Sequence, residues 1–260
     1  MLTRPRRRLL HTSDVHLGAY ESSTTGRGAA LEQAFQRVID IGLREQVDAL
    51  LIAGDFFDNA RVKAATLEFG ASELARLGCP VVIVPGNHDH VGPGSVYDRY
   101  DLEAEVPNLR LIRDPAGETV ALEDLDIEVW GRAHTEQLPH FVPFACPPPR
   151  GEAAWQIGIG HGHFIHPQAL LRHAFHIREE HLAATERDYV ALGHWERMTR
   201  VAAGERVTAA YSGAPEGLAG TTGYALVVDL FEDGSVRLTA HRLDGETSLA
   251  HDDIPLLIGG

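Results

Sequence analysis

The chain has 260 residues, which suits one large domain or one domain with a small appendage, and its 44% hydrophobic content supports a real core. Its formal charge of -14 argues against a surface that coats nucleic acid non-specifically, although divalent cations bound at a site would offset acidity there. No stretch approaches the roughly 18 apolar residues of a membrane span, and the charged N-terminus has no long apolar segment behind it, so neither a membrane anchor nor a signal peptide is expected.

Cys79 and Cys146 lie far apart and neither has a Cys-x-x-Cys partner. Two buried or half-buried free thiols in a reducing compartment are expected, with the cytoplasm as the default location.

In chain order, Arg4, Arg6, Arg7 and Arg8 read as a solvated N-terminal arm. Residues 8–12 (RLLHT) form a short apolar strand that breaks at Ser13-Asp14. Residues 29–45 carry apolar side chains at helical spacing, including Leu31, Ala34, Phe35, Val38 and Ile39. Residues 48–53 (DALLIA) are continuously apolar, as in a strand buried on both faces. A second helix is expected over 62–77, closed by Gly78, and a third buried strand over 80–84. Two β-α-β crossovers in succession predict parallel pairing. Further on, residues 109–112, 119–122 and 127–130 read as shorter strands, and the proline-rich run 139–149 shows no regular pattern. Residues 155–159 and 189–192 are again buried strands, each running into a glycine-histidine pair. Residues 207–211, 224–231 and 235–243 read as antiparallel strands, the last two joined by the turn Glu232-Asp233-Gly234. There is no repeat of fixed period and no clear linker. One domain over 1–260 is expected, with its core over about 8–245. Residues 246–260 are too short for a separate domain, and none is expected there.

Five clusters stand where apolar runs stop: Asp14-x-His16, Asp55, Asn87-His88, His161 and His194. Strand ends in open α/β sheets are where such folds build sites. Asp14 and His16, two apart, face the same side of an extended or turn segment, so one carboxylate and one imidazole can hold one ion. A strand-end carboxylate such as Asp55 can bridge two ions, as two-metal sites with about 3.5–4 Å between the ions require. Asn87 offers a neutral amide oxygen to a hard or borderline cation. His88 should point away from Asn87, towards substrate. His161 and His194 offer nitrogen ligands.

These runs (Asp14-x-His16, Gly54-Asp55-x-x-Asp58, Gly86-Asn87-His88-Asp89, Gly160-His161 and Gly193-His194) resemble the calcineurin-like metallophosphoesterase family. Within it, residues 11–18, 48–55, 188–194 and 211–216 look most like the SbcD-type exonucleases of double-strand-break repair. The resemblance implies a four-layer α/β/β/α sandwich with metals at its sheet ends. It implies one ion on Asp14, His16 and Asp55, a second on Asp55, Asn87, His161 and His194, and His88 as general acid or charge stabiliser. One position departs from the family pattern: Glu196 stands where a second histidine is usual. Glu196 is expected to be an oxygen ligand, giving a carboxylate-rich first site that favours Mn²⁺ or Fe over Zn²⁺; the alternative is a surface ion pair that leaves the first site weak or empty.

Other histidines carry weaker signals. His163, two residues past His161, is expected to contact substrate or to stand in as a ligand, and Asp58 is placed with it at the substrate. His166, His173, His176 and His181 read as the solvated face of a polar helical stretch. His134 and His140 carry no spacing signal, and His11 is expected to pack within the first strand. The favoured function is a two-metal phosphodiester hydrolase, an SbcD-like DNA nuclease. The alternatives are a phosphodiesterase or phosphatase on a small phosphorylated molecule, and a metal-poor protein-binding scaffold. DNA or a small phosphodiester is the expected partner. A homodimer and, on the SbcD likeness, a partner ATPase stay open, as does the reading of the LLIGG tail as a self-associating or a frayed end.

Overall fold

Alternation along the central strands decides the layering. A computed structural model describes residues 4–21, 26–135, 140–166, 174–217, 222–245 and 247–259. Its first half runs β1 (Arg7–Thr12), α1 (Arg27–Glu45), β2 (Ala49–Ala53), α2 (Ala64–Leu77), β3 (Val81–Val84), α3 (Val96–Arg99), α4 (Leu102–Glu105), β4 (Leu109–Leu111), β5 (Glu118–Leu122) and β6 (Ile127–Gly131). The second half adds β7 (Trp155–His161), β8 (His163–Phe164), β9 (His176–Ile177), α5 (Glu179–Ala183), β10 (Tyr189–Gly193), β11 (Thr199–Val201), β12 (Thr208–Tyr211), β13 (Tyr224–Leu230), β14 (Val236–Arg242), β15 (Ser248–Ala250) and β16 (Leu256–Leu257).

Successive residues of a strand face opposite sides of its sheet. Leu10, Leu50, Ile52, Val81 and Ile83 therefore pack with Phe35, Val38, Ile39 and Leu74 from α1 and α2. Their neighbours Leu9, Ala49, Leu51, Val82 and Val84 pack the other way, against Ile157, Ile159, Tyr189 and Ala191 of a second sheet. That second sheet buries Trp130, Val190 and Leu192 on its outer face with Phe144, Phe164, Ile177 and Leu182. The result is helix, sheet, sheet and an outer layer, the layering expected of the metallophosphoesterase sandwich. Among the described residues the outer layer is thin: α5, the β8–β9 pair and irregular chain.

Among the described residues the two large sheets have seven strands each, in the orders β15-β14-β13-β1-β2-β3-β4 and β16-β11-β12-β10-β7-β6-β5. Strands β1 to β4 are parallel, as the crossovers predict. So are β6, β7, β10 and β12. The expectation for residues 207–211 needs correcting here, because β12 is parallel to β10 and antiparallel only to the short β11. Strands β13 and β14 form the expected antiparallel pair. Helix α2 ends at Gly78, whose φ of 71° makes the left-handed cap.

The N-terminal arginines do not form a solvated arm. Arg7 and Arg8 lie within β1, Arg8 pairs with Asp229 at 2.8 Å, and Arg4 pairs with Asp188 at 2.9 Å while lying over the Trp155 ring. Among the described residues of that stretch, His176 sits in strand β9 and only His181 lies on a helix, because His176–Ile177 pairs with β8. His173 is outside the described residues. Cys79 is half-buried, with burial pushing its thiol up to about 11, whereas Cys146 is exposed rather than buried. At the start of the LLIGG tail, Leu256–Leu257 forms β16 beside β11. Among the described residues no helix is long and apolar enough to cross a membrane.

Candidate metal centre

Asp14 and His16 follow β1, and Asp55 follows β2. Asn87 and His88 follow β3, His161 closes β7, and His194 follows β10. The parallel run of each strand set delivers these residues to the carboxyl ends of the two sheets. The sheets approach closely there. A Cβ at Gly54 would collide with the His161 ring, and one at Gly193 would collide with the Ala53 carbonyl. Asp14, His16, Asp55 and His194 all hold positive φ, at 53°, 50°, 52° and 93°. Such backbone costs roughly 1–3 kcal/mol per residue and gathers at functional sites.

The side chains converge. Asp14, Asp55 and His161 are 3%, 2% and 0% exposed, and their ligand-type atoms lie within 4.8 Å of one another. Asp55 Oδ2 is 3.2 Å from His161 Nε2 and 3.8 Å from His16 Nε2. Asn87 Oδ1 is 3.2 Å from His161 Nε2 and 3.2 Å from His194 Nδ1. A second group, His16, Asp58 and His88, meets the same 4.8 Å limit, with His16 Nδ1 3.5 Å from Asp58 Oδ1. His88 Nδ1 donates to the Asp58 backbone carbonyl at 2.9 Å, and its ring meets that of His16 edge-on at 4.8 Å. Asp55 thus stands between the two groups.

Burial and charge set the protonation states. For His161, burial acts to lower the pKa, but the Asp55 carboxylate outweighs it and the net value rises to about 9. His16 behaves alike: burial lowers it, Asp58 and Asp55 raise it, and it too reaches about 9. Burial acts to raise the Asp55 carboxyl, yet His161 and His16 hold it well below the ordinary range. Asp14 is pushed up by burial. Burial also takes His194 down to about 3, helped by His161, so its imidazole is neutral.

Several supports were not legible from spacing. Asp89, 1% exposed, accepts backbone N–H bonds from Gly86 (2.7 Å), Asp55 (3.2 Å), Phe56 (2.8 Å) and Phe57 (3.2 Å), and the Tyr97 hydroxyl at 2.7 Å. Its place in the Gly86-Asn87-His88-Asp89 run was the available signal. Ser13 Oγ donates to Asp14 Oδ2 at 2.6 Å, and the His194 backbone N–H donates to Asp14 Oδ1 at 3.1 Å. The His88 backbone N–H donates to Asp55 Oδ1 at 2.9 Å. His134, fully buried, donates from Nε2 to the His161 carbonyl at 2.8 Å. No motif surrounds His134 that would have marked it.

Two expected residues lie at the edge of the convergence. His163 stacks on Trp195 and meets the His194 ring edge-on at 6.4 Å, but joins neither group. Glu196 is exposed and lines a cavity of about 310 Å³ together with Asp14, His16, Asp58 and His88. Among the described residues its carboxylate is in neither group.

The donor set fits a pair of cations. Two carboxylates buried this deeply carry a large desolvation penalty unless positive charge compensates it. The same carboxylates raise the pKa of His16 and His161, which marks the site as electronegative. His161 Nδ1 donates to the Ala53 carbonyl at 2.9 Å, which fixes the tautomer and leaves Nε2 to face Asp55 and Asn87. Mixed carboxylate, amide and imidazole shells suit first-row divalent metals and Mg²⁺.

Fold and site together define a metal-dependent phosphoesterase. Residues 7–238 match the calcineurin-like phosphoesterases, and the chain belongs to that family, which uses a two-metal centre. The chain is similar to the DNA double-strand break repair protein Mre11 of Methanopyrus kandleri, 35% identical over 104 residues, covering 36% of this chain and 23% of that one. It is similar to the D subunit of the nuclease SbcCD of Escherichia coli, 38% identical over 87 residues, covering 32% of this chain and 22% of that one. The matched stretch is thus under a quarter of either relative's length. In fold it is similar to a dimetal phosphatase from Danio rerio, with a TM-score of 0.57 at 12% identity over 94% of this chain and 98% of that one.

Proposed function

We propose that the chain hydrolyses phosphodiester bonds in DNA at a two-metal centre. One ion would be held by Asp14, His16 and Asp55, with Glu196 as a further oxygen ligand. The other would be held by Asp55, Asn87, His161 and His194. The observation that carries this reading is the position of Asp55 Oδ2, within reach of imidazoles from both sides. When bound, the two cations lower the pKa of water towards neutrality and neutralise phosphoryl oxygens. Mn²⁺ suits this shell, in which carboxylate and amide oxygens are numerous. A reducing, cytoplasmic setting fits the unpaired thiols.

The chain's own residues supply orientation and a proton. The carbonyl of Asp58 can only accept, so His88 carries its fixed proton on Nδ1. Its Nε2 then presents the transferable proton to the leaving oxygen, as a general acid. Asp58, through that carbonyl, aims the ring. His163 and Trp195 stand beside His194 where the rest of a substrate would pass.

Likeness to relatives named for DNA double-strand break repair and as a nuclease subunit supports DNA as substrate and a partner subunit, for which the SbcD resemblance suggests an ATPase. The test compares Mn²⁺-dependent degradation of single-stranded DNA with hydrolysis of bis(p-nitrophenyl) phosphate. Cleavage of both is expected. Hydrolysis of the aryl ester alone would favour a small-molecule substrate.

A further inference from the structure

Two cavities meet at Glu196. The cavity of about 310 Å³ that holds Asp14, His16, Asp58 and His88 is also lined by Tyr20 and Arg27. An adjoining cavity of about 700 Å³ is lined by Arg197, Arg242, Tyr224 and Met198. Glu196, Ala214 and Gly217 belong to the walls of both, so the two form one continuous trough.

Arginine side chains stand on both sides of Glu196 along this trough. The Arg27 guanidinium lies 4.0 Å from the centre of the Tyr20 ring. Its nearest carboxylate, Glu216, is 3.7 Å away, too far for a hydrogen bond. Its donors are therefore open to a better acceptor. Arg197 is exposed and makes no side-chain hydrogen bond or ion pair among the described residues. Arg242 donates from Nη2 to Asp244 and Thr222, while its Nε is buried without a partner. Of the three arginines, Arg27 and Arg197 make no side-chain hydrogen bond among the described residues and so have guanidinium donors open to a phosphate. The carboxylates on the same walls are Asp14 and Glu196, assigned above to the first ion, Asp58, which lies beside His16, and Glu216, which faces Arg27; Asp244 pairs with Arg242.

We propose that this trough seats the phosphates flanking the scissile one in a single nucleic-acid strand. Arg27 with Tyr20 forms the seat on one side of the metal centre, and Arg197 and Arg242 with Tyr224 form the seat on the other. Guanidinium groups take phosphate oxygens through charge-assisted bonds, and an aromatic ring beside each accepts a base by stacking. A small phosphoester fills one such cavity, whereas a strand occupies both. The inference rests on the phosphodiesterase reading above.

The experiment uses Arg27→Gln and Arg197→Gln in the full chain, with a single-stranded oligonucleotide and bis(p-nitrophenyl) phosphate as substrates in Mn²⁺. The aryl ester has no flanking phosphate. Each substitution is expected to raise KM for the oligonucleotide about tenfold. The preference for oligonucleotide over aryl ester falls by a similar factor. The slope of log KM against log salt falls by about 0.7 for each phosphate that the variant no longer neutralises. Metal content and melting temperature stay at wild-type values, and Arg37→Gln, exposed on α1, leaves the preference intact. Equal losses on both substrates overturn the proposal, as does a wild-type KM and salt slope in both variants. Wild-type protein that cleaves the aryl ester but no oligonucleotide overturns the trough and leaves the phosphodiesterase reading standing. Failure on both substrates removes that reading and the trough with it.

Discussion

His161, at the end of β7, donates from Nδ1 to the carbonyl oxygen of Ala53, at the end of β2, across 2.9 Å. This one bond ties the two sheets together at the metal centre and decides which imidazole nitrogen faces Asp55. The close approach leaves no room for a side chain at Gly54, whose φ is +87°. Gly54→Ala is therefore expected to lose roughly 2–4 kcal/mol of stability, from backbone strain and overpacking together. It should also displace His161 and lower metal content. Denaturant melts and elemental analysis check both. A variant with wild-type stability would refute the packing argument.

Asp89 gathers four backbone N–H groups and the Tyr97 hydroxyl from the loops after β2 and β3. Asp89→Asn turns one acceptor oxygen into a donor facing donors. A loss of roughly 2–4 kcal/mol is expected, with Tyr97→Phe losing about 1 kcal/mol. Equilibrium urea unfolding measures each. Equal effects of the two substitutions would mean that the backbone bonds to Asp89 contribute little.

His11 is fully buried in β1, its Nδ1 2.8 Å from the Tyr189 hydroxyl oxygen. Burial lowers its pKa from 6.5 to about 3. Between those values the unfolded chain takes up a proton that the folded chain refuses. Stability contributed by this group is therefore present above pH 6.5 and lost as pH falls towards 3. His11→Asn should flatten the acid limb by up to about 1.4 kcal/mol per pH unit within that window. Urea unfolding of both proteins at neutral pH and near pH 5 provides the comparison. Parallel curves would contradict the assignment.

Glu196 lines the cavity over Asp14 and His16 without joining either cluster. If it closes on the first ion, Glu196→Ala lowers metal content from two per chain towards one. Glu196→His should shift the preference from Mn²⁺ towards Zn²⁺, because imidazole suits the latter better. Elemental analysis after dialysis reads both changes. Equal occupancy in wild type and Glu196→Ala would remove Glu196 from the ligand set.

Much of the convergence was legible because it sits where apolar runs end. Asp14, Asp55, Asn87, His161 and His194 each stand at the end of a strand that holds a short apolar run, and parallel pairing carries those ends to one edge. Helices α1 and α2 were equally plain from their spacing. What spacing could not show depends on distant partners. His134 acts through the carbonyl of His161, and Asp89 through the backbone of another loop. Strands β11, β15 and β16 are two or three residues long and hold no pattern. The direction of β12 was misjudged because an alternating short strand looks the same in either sense. Arg4 and Arg8 looked solvated because a charge run does not reveal that Asp188 and Asp229 wait for it.

The most direct measurement is the metal content of wild type, Asp55→Asn and His88→Ala after Mn²⁺ loading and gel filtration, read beside the hydrolysis of bis(p-nitrophenyl) phosphate. Two ions per chain are predicted for wild type, loss of both metal and turnover for Asp55→Asn, and retained metal with most turnover lost for His88→Ala. An Asp55→Asn protein that keeps two ions and its activity would contradict the account.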